Sequence, residues 1–174
     1  MKRITRLICV VLLVCAGCMV VAATGCSSTA LVGQQQTEVP EATQNRNFMA
    51  SVNRLSGDLQ TTLDTFQTAV AANDSVTMQA QLREVSRIIN EVNDYTVTDT
   101  LKPTKEAYVN ALNALNDAMN SYVSLYNDVK AGKIDDATFN SRLAEVQSAY
   151  DAGIEKMKAA DETVTTVSKN DATE

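Results

Sequence analysis

The chain has 174 residues and a formal charge of −6, with six glycines, two prolines, and no histidine or tryptophan. That length suits one domain with a proper core, and so few breakers favour long helices over many short strands. Without histidine the commonest general base, the proton switch near neutrality and the commonest metal ligand are all missing.

Residues 1–6 (MKRITR) are basic, residues 7–25 (LICVVLLVCAGCMVVAATG) form an unbroken run of apolar and small residues, and Cys26-Ser27-Ser28-Thr29 follows. A short cationic region, an apolar stretch and small residues at a boundary are the marks of an export signal. The basic end stays inside because Lys and Arg cross hydrocarbon at high cost, so the downstream chain is delivered outside.

Ala23-Thr24-Gly25-Cys26 resembles the lipobox of prokaryotic membrane lipoproteins, in which small residues precede a cysteine. The resemblance covers only this segment. It implies a diacylglyceryl group on the sulfur of Cys26, cleavage just before it, and a chain anchored by lipid on the extracytoplasmic side of the cell membrane. Each buried CH₂ of such a lipid contributes about 0.8 kcal/mol, and two acyl chains give stable attachment. Cys15-Ala16-Gly17-Cys18 is a competing site. Cys26 is preferred because the apolar run continues through Val20 and Val21 and Ser-rich sequence starts directly after it. An uncleaved signal anchor is the alternative, since 19 residues at about 1.5 Å each nearly cross a hydrocarbon core of about 30 Å. Either arrangement leaves the domain outside.

All four cysteines (Cys9, Cys15, Cys18, Cys26) lie in this segment, so residues 27–174 have no means of forming a disulfide and must rely on packing. Beyond residue 25 the chain carries 12 basic and 21 acidic side chains, a net charge of −9. That surface repels phosphate, so neither nucleic acid nor anionic lipid headgroups are expected partners. The membrane, reached through the lipid, and another envelope protein are.

Residues 26–40 begin with the lipid-bearing cysteine and continue small and polar, with a Gln run, Gly33 and Pro40. This reads as a flexible spacer, whose 14 residues after Cys26 average about 20 Å end to end.

From residue 41 the apolar positions follow helical spacing. The first helix carries Phe48, Val52, Leu55, Leu59, Leu63, Phe66 and Val70. The second carries Met78, Leu82, Val85, Ile88, Ile89 and Val92. The third is the most regular, with Tyr108, Leu112, Leu115, Met119, Tyr122, Tyr126 and Val129 in alternating steps of four and three, and Ala111, Ala118 and Leu125 along its flank. The fourth carries Phe139, Leu143, Val146, Tyr150, Ile154, Met157, Val164 and Val167, with Ala160 among them. Such 3-4 repeats place the side chains on one seam per helix.

Punctuation falls between the stripes. Asn73-Asp74-Ser75 supplies cap residues for the second helix, and Pro103 is tolerated in the first turn of the third. Gly132 suits the left-handed position after the third helix, and Asp135 or Asp136 then caps the fourth. Short connections make neighbours antiparallel. The expected fold is therefore all-α: an up-down-up-down antiparallel four-helix bundle over residues 41–168, after the signal and spacer, with a disordered tail at 169–174. A longer helical hairpin that dimerises into a four-helix assembly is the competing architecture.

The search for chemistry finds no catalytic residue and no metal site. There is no GxSxG, SxxK, GxGxxG or GxxxxGK[ST] element. Di-iron bundles need Glu-x-x-His pairs, and the histidines are missing. Glu84, Glu91, Asp94, Asp117 and Asp128 fall off the apolar seams and read as solvated faces, while Asp135-Asp136 lacks the spaced oxygens and Gly of a calcium loop. Asn113, Asn120 and Asn127 recur every seven residues beside the third seam. They form either a polar strip for a ligand or partner, or ordinary exposed helix surface, the reading the pattern favours. Tyr108, Tyr122, Tyr126 and Tyr150 lie on core stripes. They either fill the core with their hydroxyls at its rim, which is favoured, or line a cleft for a small aromatic or sugar-like ligand.

Two functions follow. The leading one is a lipid-anchored, non-enzymatic cell-envelope protein whose bundle is an interaction or structural module. Besides the lipid expected on Cys26 it needs no cofactor. The alternative is an extracellular ligand-binding or sensor-like accessory bundle with a Tyr-lined cleft.

Overall fold

A computed structural model describes residues 41–170, with side-chain environments through Val164. The signal segment 1–25, Cys26, the spacer to residue 40 and residues 171–174 lie outside the described residues. So do the surroundings of Val167. Four α-helices make up the fold, with no strand among the described residues: α1 (Glu41–Ala72), α2 (Ser75–Asp94), α3 (Lys102–Lys130) and α4 (Asp136–Asn170). The last helix runs two residues past the expected boundary at 168. No described helix is long and apolar enough to cross a membrane.

The two tight turns are built alike. At the end of α1, Asn73 takes φ +57°, its N–H donates to the Val70 carbonyl and the next N–H donates to the Ala69 carbonyl. At the end of α3, Gly132 takes φ +67°, with the equivalent bonds from Gly132 to Val129 and from Lys133 to Asp128. Both are Schellman closures, which satisfy the last carbonyls of a helix and need a residue that tolerates the left-handed region. An aspartate then starts the next helix. The Asp74 carboxylate accepts from the N–H groups of Val76 and Thr77 and from the Thr77 hydroxyl, and Asp135 accepts from the Thr138 N–H.

Between α2 and α3 the chain extends through Tyr95 and makes one 3-10 turn, Asp99–Leu101, whose Leu101 is fully buried. Lys105 reaches back to the carbonyls of Asn93 and Tyr95, at 2.6 and 2.7 Å, meeting the negative end of α2. Pro103 stands in the first turn of α3, where its missing N–H has no partner to lose.

Cross-helix bonds give the directions. Thr98, just past α2, donates to Asn45 near the start of α1, and Arg87 of α2 reaches Asp58 of α1. Tyr108 near the start of α3 bonds Asp161 late in α4, while Arg142 early in α4 bonds Asp128 late in α3. Helices α1 and α2 therefore run antiparallel, as do α3 and α4, and α4 packs mainly on α3.

The apolar stripes of the first three helices are buried nearly throughout, with Leu82 and Val129 half-buried. Phe66 of α1 meets Tyr122 of α3 edge-on at 6.0 Å, and Phe48 meets Tyr95 in the same way at 6.0 Å. The fourth stripe differs from the seam that spacing predicts. Phe139, Leu143, Val146, Tyr150, Ile154, Met157 and Val164 are all half-buried, and among the α4 residues whose surroundings are described the buried ones are Gly153 and Ala160. The reason is backbone proximity. A Cβ on Gly153 would lie 2.8 Å from Leu115 Cδ2 and 3.2 Å from the Leu115 nitrogen. Helix α4 comes so near α3 that only a small residue fits at the contact line, and its larger side chains are carried to either side.

Candidate functional site

Of the four candidate tyrosines, three are inside the molecule. Tyr108, Tyr122 and Tyr126 are only 4%, 5% and 5% exposed. They share one face of α3 but not one place. The 18 residues from Tyr108 to Tyr126 cover about 27 Å of helix, and the hydroxyls of these two serve opposite ends of the bundle. The Tyr108 hydroxyl donates to the Asp161 carboxylate at 2.5 Å, and the Tyr126 hydroxyl donates to the Asn73 carbonyl at 2.9 Å. Tyr122 packs on Phe66 between them. Tyr150 is half-buried on α4. The structure does not bring the four rings together around one opening.

Burial raises the pKa of Tyr108, and the neighbouring Asp161 adds to that. Burial also raises Tyr122, with Tyr126 contributing. Both phenols are therefore neutral at any physiological pH, able to donate a hydrogen bond but poor as bases or nucleophiles.

Asn113, Asn120 and Asn127 are all exposed on the outer face of α3, and Asn120 spends its side-chain N–H₂ on the Asn116 carbonyl one turn back. The residue on this helix that spacing did not single out is Asn116. It is half-buried, and its Oδ1 is shielded from solvent with no hydrogen-bond partner. Its signal in the sequence is faint: it stands seven residues from both Val109 and Val123, between two valines in its register.

The carboxylates expected on solvated faces divide. Asp94 and Asp117 are exposed. Glu84, Glu91 and Asp128 instead belong to ion pairs. Arg54 of α1 bonds Asp58 on its own helix and Glu91 across on α2, while Arg87 of α2 bonds Glu84, Glu91 and Asp58. Partial burial would raise the pKa of Glu91, but the hydrogen bonds and charges of Arg54 and Arg87 outweigh it and hold the carboxyl below its usual value. The hydrogen bond to Glu84 is the largest cause of the raised pKa of Arg87. On the opposite side, Arg142 bonds Asp128 at 2.7 Å and the Ser124 hydroxyl at 3.3 Å. These pairs are 27–51% exposed, so each adds little stability, and the three that cross between helices, Arg54–Glu91, Arg87–Asp58 and Arg142–Asp128, serve mainly to set register.

Among the described residues no three His, Cys, Asp or Glu side chains gather in a way that could hold a metal ion. Cys26, with Ala23, Thr24 and Gly25 before it, lies outside the described residues, as does the cleavage point. Compared with known proteins, the chain matches no family model, no curated protein and no solved structure.

Proposed function

We propose that this protein is exported, trimmed to begin at Cys26 and held by a diacylglyceryl group on that cysteine, with its helical bundle acting outside the cell as a non-enzymatic interaction or structural module of the envelope. The observation that carries the reading is the run from a basic hexapeptide through 19 apolar or small residues to Ala23-Thr24-Gly25-Cys26, followed by a chain with no further cysteine. Two features of the bundle support the second half. Its tyrosine hydroxyls are engaged at opposite ends instead of converging, and its interhelical carboxylates are tied up in ion pairs.

Intact mass of the membrane-extracted protein tests the anchor. The expected species begins at Cys26 and carries the mass of a diacylglyceryl group. A chain that begins at Met1 with no added lipid overturns the reading. Cys26→Ser is expected to abolish both the lipid and the cleavage, so that the intact mass becomes that of a chain beginning at Met1 with no diacylglyceryl group.

A further inference from the structure

The chain has 13 asparagines, and only one of them, in Asn73-Asp74-Ser75, stands two residues before a serine or threonine. That spacing is what transfer of a glycan to an asparagine side chain requires, because the hydroxyl two residues on takes part in presenting the amide. In a chain that is nearly all helix among its described residues, most positions would place such a triplet on a helix. This one falls on the two-residue turn between α1 and α2.

The turn leaves the relevant groups accessible. Asn73 is exposed, and its backbone, not its side chain, does the structural work: the N–H closes on Val70 and the carbonyl accepts from Tyr126. Asp74 is the neighbour best placed to compete for the asparagine amide. Its carboxylate is instead committed to the start of α2, through Val76 and Thr77. Neither the Asn73 carboxamide nor the Ser75 hydroxyl has a hydrogen-bond partner among the described residues. Around them Ala71 and Ala72 are exposed, and the one charge on the turn is the Asp74 carboxylate already committed to the start of α2. Val76, 74% exposed, is the one large hydrophobic side chain left fully open to solvent among the described residues. An apolar side chain bared beside the acceptor is what the face of a first sugar ring would cover.

From this placement we infer that Asn73 is an N-glycosylation site, a conclusion that rests on the export reading above. The donor class is an oligosaccharide linked through phosphate to a polyprenyl lipid on the outer face of the membrane. The Asn73 carboxamide nitrogen attacks the anomeric carbon, the new N–C bond forms as the bond from that carbon to the phosphate oxygen breaks, the lipid phosphate leaves, and one amide proton passes to a base of the transferase. The glycan then caps the end of the bundle at which α1 stops and α2 starts.

The test is peptide mapping by mass spectrometry of the full chain recovered from membranes of its own host. Trypsin releases Leu55–Arg83, in which Asn73 is the only asparagine. The expected peptide carries at least one sugar residue, lost stepwise on fragmentation. The modification should vanish in Asn73→Gln and Ser75→Ala and persist in Ser75→Thr. An unmodified Leu55–Arg83 from a chain beginning at Cys26 overturns the glycan while leaving export intact. The same unmodified peptide from a cytosolic chain beginning at Met1 overturns both.

Discussion

Helices α1 to α3 bury branched and aromatic side chains against one another, whereas α4 buries Gly153 and Ala160 and leaves its larger apolar residues half-covered. These are two ways of attaching a helix. In the first, side chains interdigitate and most of the stabilisation is hydrophobic burial, about 25 cal/mol per Å² of apolar surface removed from water. In the second, the backbones approach closely, and dispersion along the line of contact replaces some of that burial. The two regions should therefore fail under opposite substitutions, the first when volume is removed and the second when volume is added.

The largest effect is expected at Phe66. Truncation to alanine removes the ring packed on Tyr122 and leaves a cavity in a site that is 7% exposed, for a loss of about 3–5 kcal/mol in denaturant unfolding. Ile154→Ala on half-buried α4 should cost less than half as much. Equal losses at the two sites would show that α4 is attached in the same way as the rest.

The converse experiment uses one substitution at two glycines. At Gly153 an alanine Cβ would stand 2.8 Å from Leu115 Cδ2 and 3.2 Å from the Leu115 backbone nitrogen, and Leu115 is fully buried. Gly153→Ala should therefore destabilise despite its better helix propensity, and Gly153→Val by about 1–3 kcal/mol. Gly57 is exposed in the middle of α1, with nothing within 4 Å of where a Cβ would stand. Gly57→Ala should stabilise by about 0.5–1 kcal/mol. Opposite signs in parallel urea titrations are the expected result.

Much of this architecture is legible in the amino-acid sequence. The 3-4 spacing of apolar residues marks all four helices, and Asn73, Asp74, Gly132 and Asp135 mark where they stop and start, because caps and left-handed positions are local chemistry. The inversion on α4 is not legible. Whether Ile154 or Gly153 lies deepest depends on the distance between two backbones, and the periodic pattern places both on the same broad face. The ion pairs are hidden for a related reason. Arg54 and Glu91 are separated by 37 residues, and nothing local distinguishes them from other exposed charges until α1 and α2 are in register. Asn116 is hidden because one amide between two valines is weak evidence in a helix rich in asparagine. Its buried, unpartnered oxygen predicts that Asn116→Leu raises stability, by about 1 kcal/mol, since a desolvation cost is removed and no hydrogen bond is lost.

A smaller effect separates the polar ties of the two regions. Tyr108 bonds α4 through Asp161, and Tyr126 bonds the α1–α2 turn through the Asn73 carbonyl. Each Phe variant keeps the ring and loses one hydrogen bond, for about 0.5–1.5 kcal/mol. The location is the sharper readout. Tyr108→Phe should speed amide exchange in the last turns of α4, and Tyr126→Phe in the turn at Asn73. Exchange that rises uniformly in both variants would mean the two regions open as one unit.

The smallest effect is one of pH, and it belongs to the turn that begins α2. Hydrogen bonds from the Thr77 hydroxyl, then from the Thr77 and Val76 N–H groups, hold the Asp74 carboxyl below its ordinary value of 3.8. A group depressed in the folded state contributes stability that is present above the unfolded value and is lost as pH falls through the folded one. The loss from Asp74 therefore sets in below about pH 4 and grows toward its lowered pKa. Asn caps a helix about as well as Asp but does not titrate there. Asp74→Asn should accordingly match the parent chain near neutrality and lose less stability than it does in acid, with the two curves parting only below the ordinary carboxylate range. A constant offset at every pH would assign the Asp74 contribution to cap geometry alone, and the charge on the cap would then contribute nothing to closing the α1–α2 turn.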